Sequence, residues 1–464
     1  MNSFDELCTK ISQDIDAKEI RSRSRTEQEQ IRFNYAVRHQ LIELWKKHHT
    51  HKDNQSSIQK NKNFYSALQQ YRDPYLTYRM AIQTFEGLQK LDLIEVTKNG
   101  FYDHVKMEGN LTRYKATPKL NEMLNELDGH PLINLPPNLD SNTILLRQKI
   151  DGRRMLAPYD EDKDTEQWRI NLREINGCFS RHILDLRIKD SEVESLQERL
   201  LSDSEKEPID LTNKVLVRIF INNSFGEGGR FYRGWWQNVP SEYRPFITIE
   251  SKHTQELDYS QLNPNMIYSL YNHELGSEDA YSRVLGEEHR DVVKEAFNAM
   301  FQSNTSLESK PKDINLDNIE MTWKELKQAI LNAHKPIKDL FFTGLGNKLQ
   351  FEDSIMAENV MLQFARMDYP ALPIHDSFIM HHAFGNDGSK EESELEEAMR
   401  RAFHDRFHRD IGISRELIKR PETKDKNNTH PEITEDLEDL EELLDGESDY
   451  SLWHARDNMW MRKK

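Results

Sequence analysis

Two short apolar stretches, each interrupted by a carboxylate, constrain this chain more than any other feature. In Glu256-Leu257-Asp258-Tyr259-Ser260-Gln261-Leu262 an aspartate closes an apolar lead-in and is followed by an aromatic and a small polar residue. In Pro373-Ile374-His375-Asp376-Ser377-Phe378-Ile379-Met380 apolar pairs flank a polar His-Asp-Ser, the pattern of a hairpin whose turn presents an aspartate. Aspartates on neighbouring strands offer hard oxygen donors to a divalent cation, and a pair of them can clamp two metals about 3.5–4 Å apart around a transferring phosphate. Taken singly, each also fits an ordinary strand end or turn.

The long insert between them carries a third pattern. Arg290, Lys294, Phe297 and Phe301 recur at i, i+4, i+7 and i+11, which is one face of a helix. Such a face offers two cations to a triphosphate and two flat apolar surfaces to a base. The same spacing fits an amphipathic helix that buries both phenylalanines and leaves the cations in water. Upstream of Asp258 stand Gly229-Arg230, then Gln237-Asn238-Val239-Pro240, then Arg244.

These segments together resemble the motifs of family A DNA polymerases. Asp258-Tyr259-Ser260-Gln261 is similar to motif A, the Arg290 to Phe301 helix to motif B, and His375-Asp376-Ser377 to motif C. The upstream Gly-Arg, Gln-Asn-Val-Pro and Arg elements resemble the run that precedes motif A in that family. The resemblance covers roughly Val215 to Asp410. It implies an α+β right-hand polymerase palm with helical fingers, and a primer 3′-hydroxyl attacking a nucleoside triphosphate. It further implies that Asp258 and Asp376 hold two Mg²⁺ ions (Mn²⁺ as an alternative), with the Tyr259 carbonyl as an extra ligand. Arg244, Arg290, Lys294, Phe301 and His375 are then expected at the nucleotide, and Arg230 and Gln237 at the duplex. Past the loop Gly344-Leu345-Gly346, Gln350 and Asp353 are expected to form a polar helix face toward primer-template DNA, with Lys348 near phosphate. Capping residues on a buried helix would read the same way.

The departures bear on nucleotide choice. Five residues after the motif A aspartate, where the family carries a glutamate that helps exclude a ribose 2′-hydroxyl, this chain has Asn263. Asparagine is of similar size but uncharged, and it donates as well as accepts. Ser377 replaces a second acid, giving the His-Asp-Ser form of phage-type single-subunit RNA polymerases. Phe301-Gln302 stands where the family has Tyr-Gly, so the aromatic has no hydroxyl.

Upstream, Glu19 to His51 reads as helix and Lys52 to Lys62 as loop. A helix then runs from Tyr78 to Leu91 with Ala81, Phe85 and Leu88 on its apolar face. Strands at Leu93 to Val96 and Leu111 to Ala116 flank a turn region with Gly100, and a further helix starts at Pro118. This order resembles a winged helix-turn-helix, with Thr77, Tyr78, Arg79 and Gln83 at nucleic-acid-facing positions and Lys98, Arg113 and Lys115 on or near the wing. The prolines at 131, 136 and 137 mark a linker, and a helix is expected from Trp168 to Leu186. The resulting organisation is 1–126 helical and winged-helix, 127–165 linker, 166–420 palm and fingers, and 421–464 acidic tail.

At 464 residues the chain is long enough for two or three cored domains. Cys8 and Cys178 are too few for a disulfide framework or zinc ribbon, so oxygen ligands are expected for any metal. No apolar run reaches the roughly 18 residues of a membrane span, and the N-terminus lacks a signal pattern, so a cytoplasmic protein is expected. The net charge of −17 is uneven: from Pro421 onward thirteen acids face six bases. Leu437, Leu440, Leu443 and Leu444 punctuate that tail at helical spacing, which suits a solvated tail, a nucleic-acid mimic over a basic cleft, or a protein partner's site. The expected partners are primer-template DNA and nucleoside triphosphates, and the expected role is DNA synthesis for a phage, plasmid or other mobile element. An RNA polymerase or primase on the same palm, or a non-catalytic DNA-binding regulator working through the winged helix, are the other readings.

Overall fold

The computed structural model describes residues 4–19, 23–51, 53–103, 108–127, 142–203, 206–381 and 393–415. The acidic tail and the linker prolines lie outside them. Helix α1 (Phe4–Lys18) lays Leu7, Ile11 and Ile15 against α2 (Glu27–Thr50), which carries Phe33, Val37 and Leu41 on its buried face. One helix from Glu19 to His51 is therefore corrected to an α2 that begins at Glu27. Thr26 accepts a hydrogen bond from the Glu29 amide and the Glu29 carboxylate accepts one from the Thr26 amide, a capping box that sets the start. Arg25 sits outside the helix, 3.5 Å from the Phe33 ring centroid and paired with Asp16 and Glu19.

The stretch read as a loop contains a strand, β1 (Ser56–Ile58). It is followed by α3 (Lys62–Ser66), α4 (Tyr78–Lys90), β2 (Ile94–Lys98), the β3 (Phe101–Asp103) and β4 (Glu108–Asn110) hairpin, β5 (Thr112–Ala116) and α5 (Pro118–Asn125). β1 and β2 flank β5 in an antiparallel sheet ordered β1–β5–β2. A three-residue strand shows no periodicity of its own; β1 exists because β5 supplies its hydrogen bonds. Phe85, Leu88, Tyr114 and Leu120 complete the core of this unit.

The remainder is built on two sheets. Strands β6 (Ile144–Ile150) and β7 (Arg153–Leu156) precede α6 (Lys163–Arg181), β8 (Leu184–Leu186), α7 (Asp190–Ser202), β9 (Val217–Ile221) and β10 (Ser224–Tyr232). The first sheet runs β10–β9–β6–β7, with β6 parallel to β9. Part of the segment read as a linker is thus sheet, because Ile144, Leu145 and Leu146 pair with β9 and are buried. The expected helix from Trp168 to Leu186 likewise ends at Arg181 and gives way to β8.

Strands β11 (Ile247–Ile249) and β12 (Lys252–Tyr259) lead to helices α8 (Leu262–Leu270), α9 (Ser282–Leu285), α10 (Arg290–Gln302), α11 (Trp323–Ala333) and α12 (Gly346–Arg366). Then come β13 (Leu372–Ile374), β14 (Ser377–His381), α13 (Glu394–Phe407) and β15 (Ile413–Arg415). The second sheet runs β13–β14–β12–β11–β8, with β15 also on β12. One core joins both sheets to α6, α10 and α12. The fold is mixed α+β. Among the described residues no helix is long and apolar enough to cross a membrane.

Tyr71 fastens the N-terminal unit to the rest. Its hydroxyl donates to the Ala157 carbonyl at 2.8 Å and accepts from the Leu146 amide at 3.2 Å, while its ring packs on Leu145, Val217 and Ile219.

Candidate active site

Alternation along β12 decides which side chains reach the open end of the second sheet. Leu257 and Tyr259 point into the core, so Glu256 and Asp258 share the opposite face. The antiparallel register sets Asp258 opposite Ser377. His375 and Asp376 are the two residues that turn β13 into β14, with His375 at φ +54°. The two aspartates read from the sequence therefore stand together at one end of adjacent strands.

Their surroundings are electrostatically tense. Burial, then the charge of Asp376, push the Asp258 carboxyl up to about 8; Glu256 adds to the rise, and Lys294 and the Tyr259 amide oppose it. Oδ1 of Asp258 is buried without a hydrogen-bond partner. Lys294 offsets that charge only in part, and an orphaned carboxylate oxygen beside a second carboxylate is a donor set suited to a hard divalent cation. Lys294, on α10, is exposed and forms no ion pair among the described residues. Arg290, one turn earlier, is held by Asp279 at 3.1 Å and lies over the Tyr281 ring.

Beneath the pair, Glu256 Oε1 accepts from Ser377 Oγ at 2.6 Å and from Arg244 Nη1 at 3.1 Å. Arg244 is thus committed to Glu256, in contrast to its expected place on a triphosphate. Ser377 also donates to the Ile374 carbonyl, tying the turn to the strand. Loss of hydration at the turn, then repulsion from Arg230, lowers the His375 imidazole, against the pull of Asp376.

On the other flank Arg230 donates from Nε to Asp353 Oδ2 at 2.7 Å. The Asp353 side chain is only 2 % exposed, and burial pushes its carboxyl up to about 6, with Arg230 opposing and Asp376 adding to the rise. Asp353 thus faces inward, in contrast to the polar DNA-facing surface expected of it. Gln350, one turn before it, is half-buried. The close approach of β10 to α12 requires Gly229, at φ +79°: a Cβ there would stand 2.9 Å from Ser354 Oγ. Arg218 fills the space below, donating to the Gly229 carbonyl, Glu358 and Ser354, each at 2.9 Å.

Two further expectations are corrected. Phe301 is 2 % exposed and stacks in the core on Phe341 and Phe297, at centroid distances of 4.1 and 4.8 Å, so it presents no surface to a base. Gln237 is turned inward: its Nε2 donates to the Phe231 and Pro373 carbonyls and its Oε1 accepts from the Gly234 amide. With Trp236 Nε1, which also donates to Pro373 O, it anchors the strand that carries the Asp376 turn. Asn263 donates to Asn298 Oδ1 at 2.9 Å, linking α8 to the helix of Lys294 by a neutral contact.

In the N-terminal unit Thr77 caps α4 through the Met80 amide, Tyr78 packs edge-on to Tyr65, and Arg79 pairs with Glu29 at 3.0 Å. Arg113 is exposed on β5. Glu256 was not singled out from the sequence, although its period-two spacing from Asp258 was a usable signal. The acids that engage Arg290 and Arg218 had none.

One other donor set converges among the described residues: Cys178, His182 and Asp368 have ligand atoms within 4.8 Å of one another. It qualifies the expectation of oxygen ligands alone. Asp368 is, however, held by Arg181, and burial pushes the Cys178 thiol up to about 12.

Compared with known proteins, the chain matches no family model and no curated sequence.

Proposed function

We propose that this chain is a nucleotidyltransferase that adds nucleotides to a primer 3′-hydroxyl, with Asp258 and Asp376 as its metal-binding carboxylates. The observation that carries the reading is the juxtaposition of those two side chains, one with a buried oxygen that has no partner and a charge that burial and its neighbour disfavour until a cation meets it. The donor set fits Mg²⁺ or Mn²⁺, with the Tyr259 carbonyl as a further ligand. When bound there, the cations supply Lewis acidity that activates the attacking hydroxyl and neutralises charge on the phosphates.

The chain's own residues supply the rest. Lys294 is the open cation facing Asp258, suited to the triphosphate, and Arg290 reaches the same place once it exchanges Asp279 for phosphate. Arg244 and Ser377 hold Glu256, and Arg230 and Asp353 brace the flank of Asp376, so these four position the carboxylates. In the N-terminal unit the order α2, β1, α3, α4, β2, β3–β4 hairpin, β5 with its β1–β5–β2 sheet supports the winged-helix reading. Lys98, Arg113 and Arg79, the last paired with Glu29, are exposed basic positions on it.

One observation favours the RNA polymerase or primase reading: the neutral Asn263–Asn298 contact puts no negative charge where a 2′-hydroxyl would be excluded. The test is extension of a labelled primer-template with Mg²⁺, dNTPs and NTPs being offered separately, and with Asp376→Ala as control. Extension that is lost in the variant is expected, and the accepted nucleotide assigns the enzyme to DNA or RNA synthesis. Absence of extension with either nucleotide, or equal extension by the variant, overturns the assignment and leaves the regulator.

A further inference from the structure

The hairpin of β6 and β7 carries a charge pattern that the aspartate site does not use. Its turn is Asp151-Gly152, both residues at positive φ (49° and 80°), a two-residue connection that fixes the register tightly. In that register Lys149 lies directly opposite Arg154, and Arg147 shares their face one step along β6. Like charges directly across a strand pair destabilise the pair. None of the three forms an ion pair among the described residues. A fourth cation joins them: Arg233, exposed just past β10, feels the charge of Arg147 and the smaller opposing charge of Glu207. In a chain of net charge −17 this is a basic patch on a rigid hairpin, offset by Glu207 at Arg233 alone, which disfavours the folded state unless an anion meets it.

Leu145 and Leu156, on the same face as the cations, pack on Tyr71, so that face turns toward the N-terminal unit; Ile150 and Met155, 43 % and 50 % exposed, lie on the other face. Arg153 reaches a cleft of about 480 Å³ whose other wall is the N-terminal unit, with Lys60 and Phe101 on it. Phe101 is 59 % exposed, the most open large apolar side chain among the described residues. Tyr71 holds the two walls together through Ala157 and Leu146, at the foot of the hairpin.

We propose that this hairpin and cleft form a second binding surface, separate from the aspartate pair, for single-stranded nucleic acid. The strand's phosphates lie along Arg147, Lys149, Arg154 and Arg233, and an unstacked base meets Phe101. An unpaired strand fits better than a duplex, because only unpaired bases can offer their faces to exposed apolar side chains in a narrow cleft. The proposal rests on the nucleotidyltransferase reading only for the use of the strand, as template ahead of the site. Binding is measured without nucleotide or metal, so its failure and a failure of catalysis are separate results.

The experiment is fluorescence anisotropy of the full chain with a labelled single-stranded oligonucleotide, a blunt duplex of equal length and an acidic peptide, over a salt series. Lys149→Ala/Arg154→Ala is expected to lower the slope of log K against log salt for the single strand by about 1.4, two phosphate contacts' worth. Phe101→Ala is expected to weaken single-strand binding about 5- to 150-fold at fixed salt. The double variant removes a repulsive pair, so an unchanged or raised melting temperature verifies that it is folded. Unaltered affinity and slope in both variants overturn the proposal. So does an equal loss on the duplex, or a loss confined to the acidic peptide, which would assign the surface to a protein partner.

Discussion

Replacing Glu358 with Gln tests how the fold neutralises Arg218, which holds the Gly229 carbonyl beside Arg230. Arg218 is fully buried, and its guanidinium is neutralised by Glu358, whose side chain is 7 % exposed. Glu358 also accepts from Asn171 at 3.1 Å, and the Arg218 guanidinium is surrounded by the rings of Trp168, Phe220 and Phe231. Glutamine keeps the shape and an acceptor oxygen but removes the charge. An arginine left without a counter-charge in an aromatic interior costs about 3–5 kcal/mol, and because glutamine preserves one hydrogen bond the lower figure, about 3 kcal/mol, is expected. The companion Arg218→Met/Glu358→Leu removes both charges. Its cost is the Gly229 carbonyl, Ser354 hydroxyl and Asn171 amide left with fewer partners, about 1–3 kcal/mol, so it should be no less stable than Glu358→Gln. Urea denaturation followed by far-ultraviolet circular dichroism measures both. A loss under about 1 kcal/mol for Glu358→Gln, or a double variant clearly worse than the single one, would refute the reasoning.

Two other outcomes follow from the site. Between about pH 4 and pH 8 folded Asp258 keeps a proton that the unfolded chain, at its ordinary value of 3.8, has released. Stability in metal-free buffer should therefore fall as pH rises through that window, by about 2 kcal/mol once solvent access to the site is allowed for. Asp258→Asn should flatten that slope and unfold at higher urea than the unaltered chain at pH 8; a slope that persists in the variant would remove Asp258 as its source. Lys294→Ala should raise KM for the nucleoside triphosphate by about tenfold or more, with melting temperature unchanged because the side chain is exposed. A KM unaffected by the change would take Lys294 off the triphosphate.

The sequence alone determined the features that are written within a few neighbouring residues. The apolar lead-in to Asp258 and the apolar pairs flanking His375-Asp376 place both carboxylates at strand ends, and the observed register bears this out. The spacing of Arg290, Lys294, Phe297 and Phe301 defines one helix face, and α10 has those bounds. The helix expected from Pro118 starts there as α5, and the structure adds Thr117 as its cap.

Tertiary structure decided what those elements face. A helical period marks a stripe without saying what covers it, and Phe341 turns Phe301 from a surface for a base into core. Arg230 and Arg244 read alike as cations, yet each is bound to an acid, on α12 or β12, whose position the chain path alone supplies. Strands as short as β1, or lying within an expected linker like β6 and β7, become legible only when a partner strand satisfies their backbone groups. Local propensity acts over a turn or two of chain, whereas burial, ion pairing and strand pairing depend on which distant segment arrives, and that information is distributed over the whole fold.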